Sequence, residues 1–242
     1  MKKLMALMAT VAWLAGTNYS LQAADTLRGD LLELHSCQLY IGGCIASSEV
    51  TQEGRCMLRV WNFTGGTYLG VNLSGLQIAL LEIGNQNLAT DDTAPTRSVI
   101  YLPASASHRQ SAALLDWLRS QVSEPSLRDA PTRALPMKFH RSGAGATFTA
   151  GGAAQIDVVP FEPCGLVSCG ESLWYTPRAT VTTYTVGVTR KSDVREPLLS
   201  LKWIDHGKNN VFLARFGEGA AARAAFTPPT LACAPTDHTL HE

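Results

Sequence analysis

The side chains with the most chemical potential lie close together near the start of the chain. His35, Cys37, Cys44, Cys56 and Met57 bring together an imidazole, thiols and a thioether. Imidazole with thiolate suits zinc, and the soft set that includes thioether suits copper. His35 and Cys37, two positions apart on a strand, would point to the same face. No C-x-x-C or H-x-x-x-H spacing accompanies them. The competing reading of the same residues is a structural disulfide beside a surface histidine.

The N-terminus bears on which reading applies. Lys2 and Lys3 precede an apolar run from Leu4 to Ala15, and Ser20-Leu21-Gln22-Ala23-Ala24 offers a small-residue cleavage site, the pattern of a secretory signal peptide over 1–23. The run is shorter than the ~20 residues needed to span a bilayer. This places the mature chain in the periplasm or outside the cell, where thiols become disulfides. Six cysteines permit fifteen pairings. Proximity favours Cys37 with Cys44 and Cys164 with Cys169, leaving Cys56 with Cys233. The loop between Cys164 and Cys169 is not the C-x-x-C of thiol-disulfide oxidoreductases, so a loop staple is the expected role.

Other catalytic signatures are missing. There is no G-x-S-x-G, H-E-x-x-H, Walker A or G-x-G-x-x-G run, which removes the commonest hydrolase, metalloprotease and nucleotide-binding readings. Asp91-Asp92 reads as a solvated loop, His108 as a helix-start residue and His206 as part of a turn. His238 and His241 fall in a tail with Cys233. Twenty Lys+Arg balance twenty Asp+Glu, so the chain lacks the positive field that nucleic-acid binding uses. Three functions remain: an exported binding or accessory protein without catalysis, with a protein partner in the cell envelope; a periplasmic copper or zinc protein using His35, Cys37, Cys44, Cys56 and Met57; and an enzyme whose pocket on the sheet draws on His140 or Arg141.

The elements that must position these residues are mostly strands. Apolar, β-branched and aromatic runs at 57–63 and 67–73, separated by Thr64-Gly65-Gly66, suggest a hairpin. Further strands are expected at 76–83, 97–102, 137–141, 146–150, 155–160, 180–190 and 198–204. One segment differs: Ala113, Leu114, Leu115, Leu118 and Val122 follow helical spacing, and Ser107 with Gln110 fits a capping box. This predicts a helix over about 107–122, ended by Pro125. The Pro-rich stretch 124–136 reads as a linker or a long crossover. The expected fold is α+β, mostly antiparallel sheet with one principal helix, in a single β-rich domain over 24–219 followed by a flexible tail over 220–242.

Several of these segments resemble the bacterial domain-of-unknown-function family numbered 1326. The likeness rests on Gly70-Val71-Asn72-Leu73-Ser74-Gly75-Leu76, on the helix with Gln110 and Ala113-Leu114, and on Trp203-Ile204-Asp205-His206-Gly207-Lys208-Asn209-Asn210 running to Phe212 and Arg215-Phe216. It spans about 27–217. The resemblance implies no reaction. Family members commonly open with a dense cysteine cluster; here His35 stands where an early Cys is expected, and Gly42-Gly43 replaces its Cys-Pro portion.

The processing site gives the first testable outcome. Mass spectrometry of the exported protein should find a chain beginning at Ala24; a membrane-bound chain still beginning at Met1 would contradict the signal-peptide reading.

Overall fold

The computed structural model describes residues 27–41, 54–90, 94–161 and 173–217. The 1–23 segment, Cys44, Cys164, Cys169, Cys233, Asp91-Asp92 and the 220–242 tail lie outside these residues. In chain order the strands of the first half are β1 (Arg28–His35), β2 (Tyr40–Ile41), β3 (Cys56–Gly65), β4 (Thr67–Tyr68), β5 (Val71–Asn72), β6 (Gln77–Gly84) and β7 (Pro95–Pro103). The helix α1 (His108–Gln121) and a 3-10 turn (Pro125–Leu127) follow. The second half contains β8 (Thr132–Leu135), β9 (Met137–Ser142), β10 (Gly145–Ala150), β11 (Ala154–Pro160), β12 (Leu173–Trp174), β13 (Thr183–Glu196), β14 (Leu201–Asp205) and β15 (Lys208–Phe216). The fold is α+β and mostly antiparallel, as its sequence pattern implies.

One sheet runs in the order β8-β7-β6-β3-β1-β15-β13-β11-β10-β9, with β14 added beside β13. Only the β7–β8 pair is parallel. The two ends of this order, β8 and β9, are separated in the chain by Pro136 alone. A single kinked strand therefore touches both ends, and the sheet closes nearly into a barrel. Proline suits the kink because it has no N–H to leave unpaired. Its carbonyl accepts from Gly151 N at 2.8 Å, and the Leu135 carbonyl accepts from Ala104 N at 2.8 Å.

Closure gives the sheet an inside and an outside. Leu32 and Leu34 from β1, Leu58 and Val60 from β3, and Phe148 from β10 are buried in one inner core. Alternation puts Leu31 of β1, Trp61 and Phe63 of β3 and Leu80 of β6 on the outer face, where α1 covers them. Phe63 meets Trp117 edge-on with ring centroids 4.8 Å apart, and Trp61 meets the same ring at 5.7 Å. The helix begins as expected: Ser107 Oγ accepts from Gln110 N at 3.3 Å, and Gln110 Oε1 accepts from Ser107 N at 3.0 Å. Among the described residues no helix is long and apolar enough to cross a membrane.

Three local expectations are corrected. The 57–63 and 67–73 runs do not form one hairpin: β3 pairs with β1 and β6, while β4 and β5 pair with each other. Gly66, at φ 108°, turns the chain off the sheet, leaving the apolar β6 as partner for β3. The 124–136 stretch is the crossover rather than a linker, and it contains the unexpected β8. The strand expected over 198–204 starts at Leu201, because Pro197–Leu199 forms a 3-10 turn closed by Ser200 at φ 53°.

Phe148 is wholly buried in the inner core. Replacing it with Ala should lower the unfolding free energy by about 3–5 kcal/mol in denaturant titrations, whereas His140→Ala on the neighbouring exposed position should change it by less than about 0.5 kcal/mol. A Phe148→Ala cost below about 1 kcal/mol would be inconsistent with a packed interior.

Candidate functional site

The outer face of β1, β3 and β6 has two halves. One is apolar and lies under α1. The other carries Glu33 and His35 from β1, Arg59 from β3 and Glu82 from β6, each at most 2% exposed. Register brings them together: Glu33 lies opposite Arg59, and Met57 lies opposite His35 on one side and Glu82 on the other. Two segments seal this polar half. Glu124 reaches in from just before the 3-10 turn, and residues 175–182 cross the sheet as a strap.

Their polar groups interlock. His35 Nε2 and Glu33 Oε1 are 2.8 Å apart. The same carboxylate accepts from the strap backbone, from Arg178 N at 2.9 Å and Ala179 N at 3.1 Å. An Arg59 Nη donates to Glu82 Oε2 at 2.6 Å and to Glu124 Oε1 at 3.3 Å. Arg178 donates to the Thr90 carbonyl, and its other Nη lies 4.0 Å from Glu124 Oε1. His35 Nδ1, Arg59 Nε and Glu82 Oε1 are buried without a hydrogen-bond partner.

Burial and neighbours pull these groups in different directions. Burial pushes the Glu82 carboxyl up to about 7, helped by Glu124 and opposed by Arg59. Burial acts on Glu33 in the same sense, but its bond to His35, the charge of Arg59 and the Arg178 amide outweigh it and hold that carboxyl below its ordinary value. Burial works against the Arg59 charge, yet Glu82, Glu124 and Glu33 keep the guanidinium above its usual value. In an open cleft a histidine–carboxylate pair could act as a general base. Here both partners are sealed and Glu33 is saturated with donors, so the pair anchors the strap.

The thiols and thioether are dispersed around this cluster. β1 ends at His35, so strand alternation does not carry His35 and Cys37 to one face as expected. Cys37 turns toward Asn87 Oδ1, with Sγ 3.5 Å away, and Asn87 Nδ2 donates to the Tyr175 hydroxyl at 3.2 Å. Gly54 makes room for this, since a Cβ there would fall 2.0 Å from Asn87 Oδ1 and 2.8 Å from Cys37 Sγ. Cys56 packs against the inner core, whereas Met57, next to it on the strand, is fully buried on the opposite side. Cys37 and Cys56 are not bonded to each other. The expected bridges Cys37–Cys44, Cys164–Cys169 and Cys56–Cys233 each involve a residue outside the described ones. Among the described residues no group of three or more His, Cys, Asp or Glu side chains is arranged to hold a metal ion.

The remaining candidates are peripheral. His108, His140 and His206 are exposed, and Arg141 Nε donates to the Gly143 carbonyl at 3.1 Å. The residues that organise the site, Glu33, Arg59, Glu82, Glu124 and Arg178, were not among the sequence candidates. For Glu33, Arg59 and Glu82 the signal was a charge set within an apolar run: Leu-Leu-Glu-Leu-His, Met-Leu-Arg-Val-Trp and Leu-Leu-Glu-Ile.

Two hollows adjoin these covering segments. Thr176 to Val181 and Tyr184 line a cavity of about 150 Å³ at the strap. A larger cleft of about 310 Å³ lies between Thr96–Ser98, the 125–131 turn and Leu198-Leu199. No protein family, curated protein or solved structure matches the chain.

Burial pushes the Cys37 thiol up to about 11. In reduced, folded protein at pH 8 it should alkylate at least about a hundred times more slowly than an ordinary thiol, because the thiolate reacts and an ordinary thiol ionises near 8.5. Labelling at the rate of a free thiol, mapped to Cys37, would contradict the sealed position.

Proposed function

We propose that the chain is an exported, disulfide-containing binding or accessory protein of the cell envelope, without catalysis of its own. The observation that carries this reading is the use made of the buried ionisable groups. Glu33, His35, Arg59 and Glu82 are turned on one another and on the covering segments, so their chemistry goes into holding the strap and turn in place. A substrate has no route to a group that is wholly buried. The interior is filled with side chains, as expected of a small closed sheet.

Binding then belongs to the surface. The cleft beside the 3-10 turns combines the hydroxyls of Thr96, Ser98 and Ser126, the charges of Arg97 and Asp129, and an apolar wall at Leu198 and Leu199. Its volume is at the lower end of ligand-sized pockets. Leu198 is 55% exposed at its rim, an apolar side chain available to a partner.

A photo-crosslinking amino acid placed at 198 in the living cell should form a discrete adduct, and one placed at Leu69, exposed elsewhere, should not. Absence of an adduct at 198 would count against this binding face. Elemental analysis of the same purified protein should find copper and zinc well below one ion per chain; a full equivalent of either would replace this reading with the metal-binding one.

A further inference from the structure

We infer that Glu82 and Glu124, bridged by the Arg59 guanidinium, hold a single proton between them, and that its presence or loss sets how tightly the strap closes over the sheet. This goes beyond the binding reading and holds whatever the chain binds.

The cluster contains the carboxylates of Glu33, Glu82 and Glu124, the guanidiniums of Arg59 and Arg178, and the His35 imidazole. Guanidinium stays charged in proteins. With Glu82 and Glu124 both ionised, two negative charges converge on one nitrogen of the Arg59 guanidinium, and Glu82 is wholly buried. An uncompensated buried charge is costly, and the usual escape is to bind a proton. One proton leaves a single negative charge against that guanidinium.

Geometry indicates where it sits. Glu33 has both oxygens occupied by donors that favour its ionised form. Glu82 Oε2 and Glu124 Oε1 converge on the same Arg59 nitrogen, at 2.6 and 3.3 Å, so two carboxyls crowd one cation. The other oxygen of Glu82 is buried without a donor, the position where a negative charge is least supported. From the remaining packed elements, β7 offers Ser98 and β15 offers Asn210 and Phe212, all uncharged; Asp205 is paired with Lys208 at 2.5 Å.

Loss of the proton has a directional effect. Glu82 is fixed on a central strand, whereas Glu124 lies on a turn with its side chain 15% exposed, so repulsion moves Glu124 outward. Arg178 then loses the carboxylate 4.0 Å away, and the middle of the strap is held by Glu33 and by the Thr90 carbonyl. The sign follows from linkage. The Glu82 carboxyl rises on folding from its ordinary value of 4.5 to about 7, so the folded form binds the proton more tightly than the unfolded chain; its contribution to stability is complete below about 4.5 and is lost as pH rises through about 7. Glu33, held below its ordinary value, works the other way and weakens the anchor in acid. The strap is therefore tightest under mildly acidic conditions.

Infrared difference spectra across pH 6 to 8.5 test the proton directly. The wild-type protein should show a protonated carboxyl band that disappears near pH 7 and is absent from Glu82→Gln. Hydrogen exchange at the Arg178 and Ala179 amides, corrected for intrinsic rates, should accelerate about tenfold or more above that pH in the wild type and not in Glu82→Gln. If Glu82→Gln does not fold, Glu124→Gln should lower the wild-type midpoint by about one pH unit or more, because it removes the neighbouring charge. No carboxyl band at pH 6, pH-independent protection of the two amides, or an unmoved midpoint in Glu124→Gln would each overturn the inference.

Discussion

Ion pairing on the outer face of β1, β3 and β6 is the constraint on which the covering layer depends. The inner core is apolar and would collapse without instruction. The outer face would not, because its polar half places Glu33, His35, Arg59 and Glu82 where water is excluded. Such groups are tolerated only when paired, and removing one partner of a buried pair typically costs about 3–5 kcal/mol. The strap and the 3-10 turn supply Arg178, two backbone amides and Glu124. The charge layer thus specifies which segment covers which half of the sheet, while α1 covers the apolar half by ordinary packing.

A second buried carboxylate plays a similar part at the closure of the sheet. Glu196, at the end of β13, accepts from the Tyr101 hydroxyl on β7 and from Arg133 on β8. It also caps the 3-10 turn that follows, through Leu198 N at 3.0 Å. One side chain therefore joins the kinked closing strand, the barrel wall and the turn that presents Leu198. In both places a buried charge makes geometry specific where apolar packing alone would permit slippage.

Much of the fold was legible because its second half obeys simple alternation: β9, with Met137, Phe139 and Arg141 half-buried between exposed neighbours, reads directly as a strand. The helix was equally clear from its capping box and the spacing of Leu114 and Leu118. The site was not legible, for a physical reason. β1 is buried on both faces, so it lacks the polar alternation that would announce a strand and its buried charges look like interruptions. The sequence pattern puts Cys37 on the face of His35, as a partner two residues away. That partner is Glu33 rather than Cys37, because the strand stops at His35. Arg178 and Glu124 meet the sheet only through tertiary packing, and no local pattern connects them to it.

The central claim is that Glu33 holds the strap on the sheet. Amide hydrogen exchange in Glu33→Gln tests it most directly. The account predicts a selective loss of protection at Arg178 and Ala179, with the β3 and β6 amides retaining theirs. Unchanged protection at those two amides, or a uniform loss across the whole sheet, would contradict it.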